Sequence, residues 1–164
     1  MQKLRSRGFT LIELLVVIAI IGILSAVVLA SLNTARNKGN DAAVKSNLAT
    51  VQTQAELYYD GTGANTYGST PAASASFTAP ATYASGDTTS LFKGDKTINS
   101  ALISAIAAEG GTAGYSAIGQ SGASYAVEIP LKAGGYWCID SSGAGKAEAS
   151  SGVGGGASAI AACP

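Results

Sequence analysis

Histidine is absent from this 164-residue chain. That removes Ser–His and Cys–His nucleophile pairs, and it leaves the two cysteines without the ligands needed to complete a zinc shell. Charge is scarce: ten basic and ten acidic residues, 12% of the chain, cancel to a formal net charge of zero. Bulk charge therefore excludes a basic nucleic-acid-binding domain, and no direct nucleic-acid partner is expected. No Asn-x-Ser/Thr sequence occurs, so N-glycosylation at that motif is excluded. The acids are scattered, with no close pair for general acid–base work. Gly143-Ala144-Gly145-Lys146 fails as a phosphate loop, because Asp140 stands where the first glycine is required and Ala147 where Ser or Thr is. No catalytic residue, metal or cofactor is indicated, and the chain is not expected to be an enzyme.

What the chain does contain is one long apolar stretch. From Leu14 to Leu32 there is no charge and no proline. A helix from Phe9 to Leu32 would be about 36 Å long, enough to cross a bilayer core of about 30 Å. A basic leader with Lys3, Arg5 and Arg7 precedes it, which suits a cytoplasmic N-terminus, although Arg36 and Lys38 beyond the span blunt the asymmetry. A cleavable secretory signal is a poor fit: the run is too long, and Val28-Leu29-Ala30 only loosely matches a small-x-small cleavage site. A plain membrane anchor fits the length but leaves Glu13 unexplained. An ionised carboxylate at the start of such a segment is costly unless it is paired or stays wet at the interface.

The run Gly8-Phe9-Thr10-Leu11-Ile12-Glu13-Leu14 resembles the class III signal of type IV pilins and pseudopilins. The resemblance implies that a membrane prepilin peptidase cuts after Gly8 and that Phe9, the new N-terminus, is N-methylated. A glycine at the cut has no Cβ to obstruct a catalytic site. Cleavage also creates a positive α-amine at the edge of an apolar helix. That amine and the Glu13 of a neighbouring subunit are each expensive alone and neutralise one another when paired, which would set the axial register of assembly. The implied partners are copies of the chain in a helical homopolymer, the prepilin peptidase, the inner-membrane assembly platform, and the membrane before assembly. The implied localisation is the cytoplasmic membrane as a single-pass precursor, then an extracellular filament. Many pilins carry a proline about where Ala30 stands and a glycine where Gly22 stands; this chain keeps Gly22 and lacks the proline. Local helix melting on packing, known in the family, would fall between Gly22 and Ala30, unless Gly22 only allows close helix packing.

The expected fold is α+β: one long N-terminal helix, half membrane anchor and filament core, half amphipathic, packed on a small antiparallel sheet of three or four strands. Residues 1–8 form the leader, 9–32 the hydrophobic helix, 33–60 its amphipathic continuation, and 61–164 the globular head. Without the leader, seven basic residues face ten acidic ones, a net −3 before the new α-amine is counted. About 130 residues outside the span allow one small domain. The polar patch Asn33–Asp41, with Gly39 inside it, marks a bend. Val44, Leu48, Val51, Ala55 and Tyr58 then recur at helical spacing as a stripe suited to lie on a sheet. Asp60-Gly61 is a stop signal, and Tyr58-Tyr59 reads as packing.

Residues 61–96 form the expected αβ-loop, rich in Ala, Ser, Thr and Gly, with hydroxyls open to O-linked sugar. A short helix follows to Ala108, its apolar face being Leu102, Ile103 and Ile106. Tyr115–Ile118 and Tyr125–Ile129 flank a Gly119-Gln120-Ser121-Gly122 turn, Tyr136–Asp140 is a third strand, and Lys146–Ala149 a weak fourth. The glycine-rich tail, Gly152 to Gly156, needs an anchor. Cys138 and Cys163 supply one if the chain is exported to an oxidising compartment, closing a loop of about 25 residues worth on the order of 3 kcal/mol. That pairing matches the C-terminal disulfide region of many type IV pilins, here 138–163; two free thiols are the alternative. The resemblance implies a structural subunit, a major pilin of a type IV pilus serving adhesion, motility or DNA uptake. A minor pilin or a pseudopilin of a secretion or competence system is the alternative, and a membrane-anchored binding domain or accessory enzyme a remoter one.

Overall fold

The structure is a computed structural model that describes residues 8–68, 75–77, 90–111, 114–118, 122–153 and 162–163. The leader ahead of Gly8, most of the proposed αβ-loop, the centre of the 119–122 turn and most of the glycine-rich tail lie outside the described residues. The chain forms two units, Met1–Arg36 and Asn37–Pro164.

Helix α1 spans Leu11–Asp60. Its N-terminal part has no β-branched break strong enough to stop it and no proline, and its large apolar side chains from Leu11 to Leu32 are all exposed. This part is long and apolar enough to cross a membrane. At the Asn33–Asp41 patch, where the sequence suggests a bend, helix α1 runs through Gly39 without interruption. One glycine costs a helix only about 1 kcal/mol, less than flanking helical turns supply.

In the second unit, α1 buries Val44, Leu48, Val51, Ala55 and Tyr58, the stripe read from the sequence, with Asp41 added at its start. Each fully buried Val or Leu contributes about 1.5–3 kcal/mol relative to exposure. The helix stops at Asp60, where Gly61 N–H still bonds Leu57 C=O at 3.1 Å. The chain then reverses through Gly63–Thr66, with Ala64 and Asn65 both left-handed at φ +51° and +64°.

Helices α2 (Leu91–Gly94) and α3 (Lys96–Glu109) follow. Asp95 caps α3, accepting the Ile98 N–H at 2.8 Å, and Gly110 ends it in the left-handed region. Ile98, Leu102, Ala105 and Ile106 are the buried face; Ile103, expected there, is 49% exposed and turns away. Ile103 adjoins Leu102 in sequence and so lies about 100° round the helix, beyond the edge of the buried face.

The sheet has five antiparallel strands in sequential order: β1 (Ala75–Phe77), β2 (Gly114–Ile118), β3 (Tyr125–Pro130), β4 (Tyr136–Asp140) and β5 (Gly145–Glu148). The α+β class is as expected, with one strand more than the three or four foreseen. The extra strand is β1, which pairs with β2 inside what reads as loop sequence; three residues are too few to show a period-two pattern. Alternation along β3 and β4 gives the sheet two different faces. Tyr125, Val127, Ile129 and Ile139 join the α1 stripe and the α3 face in the main core. Ala126, Glu128, Cys138 and Asp140 point to the opposite side, where Val153 and Cys163 cover them.

Polar ties fix α1 to the sheet's turns. Asp41 accepts the Lys132 N–H at 2.7 Å and the Ala133 N–H at 3.2 Å in the β3–β4 turn. Gln52 donates to the carbonyls of Asp140 and Ala144, both at 3.2 Å. Lys45 lies 4.6 Å from the Trp137 ring centre, a cation–π contact. Tyr59, Tyr67, Tyr125 and Phe92 stack in sequence with ring centres 4.8, 4.8 and 6.4 Å apart.

Candidate functional site

The sequence directs attention to the start of α1. Gly8 and Phe9 precede the helix in non-helical backbone. Both are exposed, Phe9 to 92%, and a Cβ placed on Gly8 would meet nothing within 4 Å. Among the described residues, nothing covers the Gly8–Phe9 pair. Four residues past Phe9, Glu13 sits in the first turn of α1.

Thr10 and Glu13 form a reciprocal capping box. The Thr10 N–H and hydroxyl donate to Glu13 Oε2 at 2.8 and 2.7 Å, and the Glu13 N–H donates to Thr10 Oγ1 at 3.3 Å. Such a box satisfies N–H groups that a helix start leaves without partners. In an apolar setting this matters more than in water, because no solvent replaces a missing partner. The box also gives Glu13 a local reason to exist in an apolar run. Oε1 carries no hydrogen bond among the described residues, so the carboxylate can cap its own helix with one oxygen and meet a cation with the other. Sequence reasoning that centred on Glu13 passed over Thr10, although Thr-x-x-Glu ahead of an apolar run is a legible signature.

Gly22 lies within unbroken helix, with open space where a Cβ would stand.

Cys138 and Cys163 are joined in a disulfide, with their Cα atoms 5.8 Å apart at a sequence separation of 25. Two carboxylates hold the segment that carries Cys163. Glu128, 0% exposed, accepts from the Gly152 and Val153 N–H groups at 3.0 and 3.1 Å and from the Ser151 hydroxyl. Asp140 accepts on Oδ1 from Ser142 N–H (2.8 Å), Ser142 Oγ (2.6 Å) and Ala144 N–H (3.2 Å), and on Oδ2 from Cys163 N–H at 2.9 Å. Burial opposes its ionisation, but these hydrogen bonds outweigh burial and hold its pKa below the ordinary aspartate value. Neither acid was singled out from the sequence. A signal was present, since Glu128 and Asp140 stand at alternating core positions of strands otherwise apolar.

The fold and the site define a class: a chain whose N-terminal helix begins just after an exposed Gly8–Phe9 pair, runs apolar for a membrane's thickness, and whose C-terminal part is a small α+β domain. Comparison with known proteins agrees. Residues 3–29 match the prokaryotic N-terminal methylation motif. Over 53 residues the chain is 49% identical to the type IV wide pilus major component PilA4 of Thermus thermophilus. That alignment covers 32% of this chain and 40% of the relative's length. No solved structure matches. The N-terminal part of the chain is thus similar to a type IV pilin, and the chain spans less than half the length of that relative.

Proposed function

We propose that this chain is the major structural subunit of a type IV pilus. In this reading it is held in the cytoplasmic membrane by α1, cut between Gly8 and Phe9 by a prepilin peptidase, and N-methylated on Phe9. It is then passed through an inner-membrane assembly platform into an extracellular filament of its own copies. The observation that carries the reading is the start of the chain: the methylation motif and a 49% identity to a protein named as a major pilus component.

The filament is built from the faces that α1 leaves open. Apolar side chains from Leu11 to Leu32 are exposed in the isolated chain, and burying them against copies of themselves supplies the association energy. Glu13 sets the register by meeting the α-amine of a neighbour's Phe9 through the oxygen that Thr10 leaves open. Loss of helix between Gly22 and Ala30 on packing belongs to the same proposal.

The abundance of the chain in filaments sheared from producing cells tests the reading. A major pilin is the bulk protein of those filaments. A chain present only in traces, or confined to short membrane-bound structures, is a minor pilin or pseudopilin. A chain absent from every filament is a membrane-anchored binding domain or accessory enzyme.

A further inference from the structure

The back face of the sheet carries three attachments to one stretch of chain. Glu128, Cys138 and Asp140 lie on adjacent paired positions of β3 and β4: Glu128 is opposite Cys138, and Asp140 is two residues along from it on the same face. Glu128 holds residues 151–153, the disulfide holds Cys163, and Asp140 holds the N–H of that same Cys163. Two of the three attachments are hydrogen bonds to backbone N–H groups. They depend on carboxylate oxygens and backbone amides, and not on any sulfur chemistry.

We propose that Glu128 and Asp140 are positioning residues for the disulfide: they hold residues 151–153 and the Cys163 backbone on the back of the sheet while both cysteines are still thiols, and so deliver Cys163 to Cys138. A hydrogen bond from the Cys163 N–H to Asp140 fixes the backbone of the incoming cysteine itself. The Glu128 contacts fix the segment ten residues earlier and shorten the free chain that must search. Holding two reacting groups in place raises their effective concentration.

The step is thiol–disulfide exchange with a small disulfide such as oxidised glutathione. One cysteine thiolate attacks a glutathione sulfur, the glutathione S–S bond breaks, and one glutathione thiolate leaves and is protonated. The second cysteine thiolate attacks the mixed disulfide, forms the Cys138–Cys163 bond and expels the second glutathione. Two electrons pass from the cysteine pair to glutathione, and the two thiol protons end on the two glutathione thiols. The carboxylates take no part in proton or electron transfer.

The test is the equilibrium of the full-length chain, in detergent micelles, with a glutathione redox buffer, which reads the effective concentration of the cysteine pair. Asp140→Asn keeps an oxygen for the 142–144 turn and puts an amide donor where the Cys163 N–H needs an acceptor. It should lower the effective concentration about tenfold, the worth of one hydrogen bond to a charged group, and Glu128→Gln should lower it similarly. Asp41→Asn weakens the same domain at the β3–β4 turn, far along the chain from Cys163, and should leave the value within about twofold. An Asp140→Asn value equal to wild type overturns the proposal, as does an Asp41→Asn value that falls as far as Asp140→Asn, since the effect would then be general destabilisation. A second readout needs no variant. In the reduced wild-type chain the Cys163 amide should exchange its hydrogen at least tenfold more slowly than in an unstructured peptide; exchange at the unstructured rate overturns the proposal.

Discussion

Thr10 and Glu13 cap one another across the first turn of α1, with the Thr10 N–H and hydroxyl both on Glu13 Oε2. The carboxylate therefore has two separable tasks. One is local, completing the helix start, and an amide oxygen performs it nearly as well. The other, in the filament reading, is to carry a negative charge to a neighbour's amine, which an amide cannot do. Glu13→Gln should leave helix initiation and peptidase cleavage intact while filament yield collapses, because removing one partner of a buried ion pair costs about 3–5 kcal/mol. Normal yield from that variant would sink the register role.

Thr10→Ala divides the tasks the other way. The charge stays and the cap goes, at a cost of about 1 kcal/mol to the helix start. Hydrogen exchange of the amides of residues 11–14 in micelles should speed up about fivefold, and Thr10→Ser should restore the wild-type rate. Unchanged exchange in Thr10→Ala would show that the box does not hold the helix end.

In the globular unit, Asp41 joins α1 to the β3–β4 turn through the Lys132 and Ala133 amides. Asp41→Ala leaves both donors without their acceptor and should cost about 2–3 kcal/mol. Asp41→Asn, which keeps one acceptor oxygen, should cost roughly half as much. Trp137, the only tryptophan, reports on β4 next to α1, so its fluorescence through a denaturant titration measures both.

The reversal after α1 offers two substitutions of opposite sign. Ala64 stands at φ +51°, where a side chain is strained, and Ala64→Gly should stabilise the fold by up to about 1 kcal/mol. At Gly63 a Cβ would lie 2.2 Å from the Thr66 carbonyl oxygen and 2.8 Å from that of Tyr58, so Gly63→Ala should destabilise it. Shifts of the same sign in thermal unfolding would contradict the turn geometry.

Proton linkage separates acid from alkaline behaviour. Asp140 has a lowered pKa in the fold, so its contribution is complete above the unfolded value of about 3.9 and is lost as pH falls through the folded one. The stability advantage of wild type over Asp140→Asn should hold from pH 7 to about pH 4 and shrink below it. Tyr67 and Tyr125 behave oppositely. Burial, and then the nearby Glu56 carboxylate, push both hydroxyls above the ordinary tyrosine value of about 10. Their contribution is complete below that value and is lost as pH rises through the folded ones, so in an ultraviolet titration these two tyrosines should ionise above the ordinary tyrosine range and together with alkaline unfolding.

Long-period features were legible in the sequence, and short or cooperative ones were not. The α1 stripe could be read because five apolar residues repeat over four turns, and the β3 and β4 strands because aromatic and β-branched residues concentrate there. β1 was hidden because three residues of mixed polarity carry no period. The continuity of α1 through Gly39 was legible from the helical period that resumes at Ala42, since one interior glycine is outweighed by its flanks. At the site, Gly8, Phe9 and Glu13 stood out as a contiguous motif. Thr10 did not, since its role appears only in relation to Glu13. Glu128 and Asp140 look like ordinary strand acids until Gly152, Val153 and Cys163 are seen to bond them, contacts between residues 23 to 25 apart that no local pattern encodes.

The measurement that tests the central claim most directly is the mass of the N-terminal peptide of the chain isolated from cells. The account predicts a peptide that begins at Phe9 and is about 14 Da heavier than its sequence, the mass of one added methyl group in place of hydrogen. A chain that retains Met1 to Gly8 intact, or one cut after Ala30, would contradict it.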